Sequence, residues 1–119
     1  MQSGLSGILV GLVGPCASGK STLKALLITH GVRIKHIAQE HSFVPDMWQR
    51  ITNPDVLIFL DASYPITIQR RRLNWSEADY QEQQRRLAHA RQHADLYIET
   101  DTLTPEQVAQ AVLDFLKAE

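Results

Sequence analysis

The eight consecutive residues Gly14-Pro15-Cys16-Ala17-Ser18-Gly19-Lys20-Ser21 combine side chains and spacing suited to binding an anion. They fit the pattern G-x-x-x-x-G-K-[ST]. Gly14 and Gly19 admit backbone angles closed to other residues, so successive N–H groups can curl around an oxyanion. A helix starting near Gly19 adds unpaired N–H groups and the positive end of its dipole. Lys20 would then reach the β- and γ-phosphates of a nucleoside triphosphate such as ATP, and the Ser21 hydroxyl would take a Mg²⁺ position. The expected phosphate contacts run from Gly14 through Thr22, with Cys16 a small filler at a position open to most side chains, or alternatively a redox-sensitive thiol.

Such a loop needs a strand before it and a helix after it. Ile8-Leu9-Val10-Gly11-Leu12-Val13 is a short apolar run that reads as a buried parallel strand. The helix is expected from about Gly19 to His30, with Leu23, Leu26, Leu27 and His30 inward and Gly31 ending it. Residues 32–38 alternate apolar and charged, the pattern of a strand near the sheet edge. Residues 43–51 predict a short helix with Phe43, Met47, Trp48 and Ile51 inward, broken at Thr52-Asn53-Pro54-Asp55. Val56-Leu57-Ile58-Phe59-Leu60 is continuously apolar, as in a central strand covered on both faces.

A long crossover follows. One helix is expected near Pro65, and a second from Ser76 to His93 opens with the S-x-x-D capping box of Ser76 and Asp79. The second helix carries a thin apolar stripe, Tyr80, Leu87, Ala90 and Ala94. Residues 95–99 form the last strand. Thr104, Pro105 and Gln107 then mark a helix start, with Leu103 stapling to Val108. Val108, Ala111, Val112 and Phe115 are expected to face the sheet. Strands alternating with helices mean an α/β fold with a parallel sheet and right-handed crossovers. The expected architecture is one three-layer α/β/α domain over residues 1–119, with four strands in the order 2-1-3-4.

Carboxylates near the loop complete the chemistry. Glu40 follows the second strand, where ligands bind in open α/β sheets. It is read as a ligand to Mg²⁺ or its water, or as the base that takes an acceptor's proton. Asp61, at the end of the central strand, is the alternative metal carboxylate; its plainer role is to bond the next helix's backbone. Asp46 is a further alternative, and its plainer role is a first-turn helix acid. His41 could meet a substrate, whereas Trp48 reads as core.

Composition narrows the class. With 44% hydrophobic and 21% charged residues, the chain is ordinary for a soluble globular protein. It lacks an apolar run of the roughly 20 residues a membrane span needs, and Met1-Gln2-Ser3-Gly4 has no basic region of a secretory signal. The net charge of −1 gives no reason to expect nucleic acid as a partner. A single cysteine excludes an internal disulfide and fits a reducing cytoplasm. Of the 12 Lys and Arg residues, six lie between Pro65 and Ala94 against three acids, Glu77, Asp79 and Glu82. The chain also lacks the [NT]-K-x-D motif of a GTPase and the L-S-G-G-Q signature of an ABC subunit. Oligomer formation is left open.

With these residues placed, the chain resembles the small-molecule kinases of the P-loop class: adenylate kinase, shikimate kinase and dephospho-CoA kinase. The likeness rests on the loop, on Leu60-Asp61-Ala62-Ser63 ending a strand, on Arg70 to Arg72, on Arg85 and Arg86, and on residues 94–101 before the last helix. Glu40-His41-Ser42 is similar to the Glu-Arg-Ser of deoxynucleoside kinases. The resemblance implies transfer of the γ-phosphoryl of ATP, with Mg²⁺, to a small hydroxyl or phosphate acceptor. It also implies that residues 65–93 are an arginine-rich lid. Lys20, Glu40, Arg70 and Arg86 would then serve the transferring group, and Arg71 would contact the nucleotide. The chain departs from those kinases in having only residues 39–53 where they carry a longer acceptor-binding segment. That departure leaves a second reading, a nucleotide-binding regulatory module or slow NTPase without its own acceptor site.

Overall fold

The computed structural model describes residues 7–71 and 74–118, with the side chain of Arg71 outside the described set. Four strands form one sheet: β1 (Leu9–Val13), β2 (Arg33–His36), β3 (Val56–Asp61) and β4 (Leu96–Glu99). Their order is β2-β1-β3-β4 and every pairing is parallel, as the alternation of strands and helices requires. β3 is buried along its whole length, whereas β2 pairs only with β1 and is mostly exposed. Side chains alternate across the sheet, so each central strand supplies two cores. Val10, Leu12, Ile58 and Leu60 pack with Leu23, Leu27, Val112 and Leu116 on one face. Val13, Leu57 and Phe59 pack with Trp48, Leu87 and Ala90 on the other.

The first face is covered by α1 (Lys20–Ile28) and α5 (Pro105–Ala118). Thr104 caps α5 reciprocally: its hydroxyl accepts from the Gln107 N–H, and Gln107 Oε1 accepts from the Thr104 N–H. The apolar stripe of α5 is rotated from the expected one. Val108, Ala109, Val112, Leu113 and Leu116 are buried, Phe115 is half-buried and Ala111 is exposed. Likewise α1 ends at Ile28, and His30 is exposed rather than inward. Gly31 takes a left-handed φ of 76° in the turn that leads into β2.

The crossover from β3 to β4 contains α2 (Tyr64–Arg71), α3 (Glu77–Arg86) and α4 (Ala88–His93). The Ser76–Asp79 capping box opens α3. One continuous helix to His93 is not formed, because α3 stops at Arg86 and α4 begins after the buried Leu87. The helix expected over residues 43–51 is also replaced. A single 3₁₀ turn at Gln39–His41 and one π turn at Trp48–Thr52 take its place. Phe43 and Ile51 are 82% and 75% exposed, so only Trp48 enters the core, with Met47 at its edge. The cause is the buried Gln39 amide, which accepts from the Trp48 N–H and donates to the carbonyls of Val44 and Arg86. These bonds hold the segment in a compact loop that a regular helix could not follow. No described helix is long and apolar enough to cross a membrane.

Candidate functional site

Beyond the C-terminal ends of β1 and β3 lies a cavity of about 660 Å³, within the usual range for a small-molecule site. Residues 16–23 form one wall, and Glu40, His41, Arg70, Thr100 and Leu103 lie around it. The loop that makes this wall is folded tightly against β3. Gly14 has φ 155°, and a Cβ there would lie 2.0 Å from the Leu60 carbonyl oxygen. A side chain cannot be accommodated at that point. At the other end, Gly19 takes φ 105° and begins α1, with no side-chain cap and no acid in its first turn. The first N–H groups of a helix have no acceptor within it. Ser21 and Thr22, at that helix start, are exposed and line the cavity.

Lys20 and Glu40 form the centre of the site. Lys20 Nζ is 3.2 Å from Glu40 Oε2, and both side chains are only 4% exposed. Lys20 also donates to the carbonyls of Gly14 (2.6 Å) and Pro15 (3.0 Å), bracing the loop from inside. Glu40 is delivered by the 3₁₀ turn, whose position follows from the Gln39 bonds. Glu40 Oε1 and Ser18 Oγ are buried and lack a hydrogen-bond partner among the described residues. Buried polar oxygens left without partners are uncommon in folded proteins. His36, which also lines the cavity, is held below its ordinary pKa by partial desolvation and by the nearby Lys20 charge.

The arginines take different places. Arg70 lies at the cavity, where Nη1 donates to Thr100 Oγ1 (2.8 Å) and to the Ala17 carbonyl (3.2 Å) and Nη2 donates to the Thr100 carbonyl. Arg86 Nη1 reaches the Glu40 carbonyl at 3.4 Å, its Nε bonds Glu82, and its guanidinium lies 4.2 Å from the Phe43 ring centroid. Arg85 is turned to Glu82 on its own helix and is mostly exposed. The Arg85–Arg86 pair therefore does not act as one set: Arg86 reaches the segment carrying Glu40, and Arg85 does not. The Arg71 side chain, expected to contact nucleotide, and Arg72 lie outside the described residues.

Asp61 is placed apart from the loop. Its Oδ1 accepts from the Ala62 N–H and from Gln84 Nε2, and its Oδ2 accepts from Arg91 and Tyr97. Burial and the bond to Asp61 push the Tyr97 phenol above its usual pKa. Asp61 does not line the cavity, and the structure brings Glu40, not Asp61, to Lys20. A metal role for Asp61 would require breaking four contacts to move it toward Ser21. Asp46 pairs with Arg50 along its own turn.

Three contributors carry no motif. Gln83 on α3 accepts from the Cys16 N–H at 3.0 Å and donates to its Sγ at 3.2 Å, tying the crossover to the loop. Thr100 accepts from Arg70, and its hydroxyl proton is directed at the carbonyl of Ser18 or Asp61, each at 3.0 Å. Gln39 sets the position of the Glu40 turn. A buried glutamine in a polar helix has no sequence pattern that separates it from an exposed one. Thr100 follows directly on β4, a place where α/β sheets bind ligands, and that is the one signal that could have found it. No protein-family model matches this chain, and no curated protein matches it.

Proposed function

We propose that the chain is a small P-loop kinase that binds ATP with Mg²⁺ and transfers the γ-phosphoryl group to a small hydroxyl or phosphate acceptor. The observation that carries this reading is the buried Lys20–Glu40 pair at the base of an open cavity, beside an uncapped helix start. The loop amides and the start of α1 would hold the phosphates. Lys20, released from Glu40, would turn to the β- and γ-oxygens. Ser21 and Glu40 would hold Mg²⁺, which when bound neutralises the phosphate oxygens. The orphaned oxygens of Glu40 and Ser18 fit such an occupant. Arg70, bonded to the loop at Ala17, and Arg86, bonded to the Glu40 carbonyl, would serve the transferring group, and the apolar Leu103 suits the base end. The crossover would exclude water from the γ-phosphate, as a kinase requires to avoid hydrolysis.

A second reading rests on one observation. The segment between β2 and β3 is a pair of single turns held by Gln39 and Trp48, with no separate acceptor-binding unit. A regulatory nucleotide-binding module would need none.

Both readings require triphosphate at the loop. Lys20→Ala should weaken binding of a fluorescent ATP analogue by on the order of 2 kcal/mol, the size of a lost charge-assisted contact. Unchanged affinity in a folded Lys20→Ala protein would refute the assignment. ATP turnover in the presence of pooled nucleosides, sugars and cofactor precursors separates the readings, because acceptor-dependent turnover belongs to a kinase alone.

A further inference from the structure

A thiol, an imidazole and a carboxylate meet at the mouth of the cavity. Cys16 Sγ lies 3.8 Å from His41 Nε2, and His41 Nε2 lies 3.7 Å from Glu40 Oε2. All three atoms fall within 4.8 Å of one another. Zinc bonds of about 2.0–2.3 Å in tetrahedral geometry put neighbouring ligand atoms roughly 3.3–3.7 Å apart. Two of the three spacings are already close to that range, and the third, Cys16 Sγ to Glu40 Oε2, closes by rotation of the partly exposed Cys16 side chain. Glu40 gives the group a buried anchor, and its second oxygen has no hydrogen-bond partner among the described residues.

We propose that Cys16 Sγ, His41 Nε2 and Glu40 Oε2 form a site for Zn²⁺, with water as the fourth ligand. The thiol proton leaves to solvent as the S–Zn bond forms, since only the thiolate is a ligand. A thiolate beside an imidazole selects Zn²⁺ over Mg²⁺, which prefers oxygen. Gln83 Nε2 already donates to Sγ at 3.2 Å, and the same bond would steady a thiolate. Because the carboxylate already faces Lys20, binding Zn²⁺ with release of one thiol proton adds one net positive charge there. Lys20 shares the Glu40 oxygen at 3.2 Å, and Zn²⁺ must compete with it. An ion held here occupies both Glu40 and the side of the loop at Cys16, so it excludes a triphosphate. That exclusion rests on the nucleotide reading above, whereas the metal site does not.

The metal alone tests the site, with the full chain and no nucleotide present. Titration with Co²⁺ should produce a near-ultraviolet thiolate-to-metal charge-transfer band, and added Zn²⁺ should abolish it. In competition with a chromophoric chelator, Cys16→Ser and His41→Ala should each weaken Zn²⁺ binding by about a hundredfold. Both positions are at least partly open to solvent, so the variants should melt as the parent does. The His89 and His93 rings stack with centroids 4.2 Å apart and make a histidine pair to control for, so the His89→Ala/His93→Ala protein should keep the parent affinity. Lack of a charge-transfer band, parent-like binding by Cys16→Ser and His41→Ala, or loss of binding only on removing His89 and His93 would each overturn the proposal. Saturating Zn²⁺ should then displace a fluorescent ATP analogue from the parent but not from His41→Ala. A parent that binds Zn²⁺ but never the analogue would refute the nucleotide reading and leave the metal site standing.

Discussion

Glu40→Gln isolates the interaction on which the loop depends. The substitution keeps the shape of the side chain and removes its charge, so Lys20 loses a carboxylate oxygen 3.2 Å from its ammonium. At an effective dielectric of about 20, a charge pair at that distance attracts by about 5 kcal/mol. Desolvation of two ions that are each 4% exposed offsets much of this in the native protein. Removing one partner is a different matter, because the surviving charge stays buried, and such changes cost about 3–5 kcal/mol. Lys20 keeps its bonds to the Gly14 and Pro15 carbonyls, which places the expected loss near the lower end, about 3 kcal/mol. Urea unfolding of a chain this size has a slope of about 2 kcal/mol/M, so the midpoint should fall by about 1.5 M. A double variant that also replaces Lys20 with Met should recover part of that loss, since no buried charge is left without its counterpart. In activity assays Glu40→Gln should lower turnover far more than ATP affinity. A midpoint shift below about 0.3 M, or a double variant less stable by the sum of the single losses, would refute the buried-pair account.

Two further substitutions test the loop and its surroundings. Gly14→Ala should lower the melting temperature by about 15 °C, since it sets a Cβ 2.0 Å from the Leu60 carbonyl oxygen in a left-handed backbone. Gly19→Ala meets nothing within 4 Å and should cost only the backbone strain, so equal melting of the two variants would argue against the close approach to β3. His36 has a folded pKa below its unfolded value, so the unfolded chain takes up the proton first. Its contribution to stability is therefore present above the unfolded value of about 6.5 and lost as pH falls below it. His36→Gln should lose less stability than the parent between neutral and mildly acidic pH, as read from urea midpoints at the two pH values. An identical pH dependence would assign the acid sensitivity to other groups.

The site was legible where single residues carry geometric demands. Gly14 is needed because the loop passes against a carbonyl, and Lys20 sits where the motif places it, although it points inward to Glu40. Glu40 was reachable by position alone, just past an edge strand on the C-terminal side of the sheet. Asp61 shared that position. Only the network of Gln84, Arg91 and Tyr97, brought together from α3, α4 and β4, turned its carboxylate away. The arginines divide for the same reason: Arg70 finds Thr100 and Ala17 across the fold, while Arg85 finds only Glu82 on its own helix.

The sequence by itself determined the α/β class, the strand order, and the starts of α3 and α5. The class and the helix starts rest on local periodicity and on capping pairs three residues apart, and the strand order on the contrast between the unbroken apolar run of β3 and the alternating pattern of β2, which puts one at the centre and the other at the edge. Tertiary structure decided the course of residues 39–52, the break at Leu87 and the rotation of the α5 face. In each case a partner distant in sequence decides. Gln39 bonds the Arg86 carbonyl, Leu87 fills the core beside Phe59, and α5 must pack on α1 as well as on the sheet. A hydrophobic pattern says that a face will be buried, but only the neighbour that covers it decides which residues that face includes.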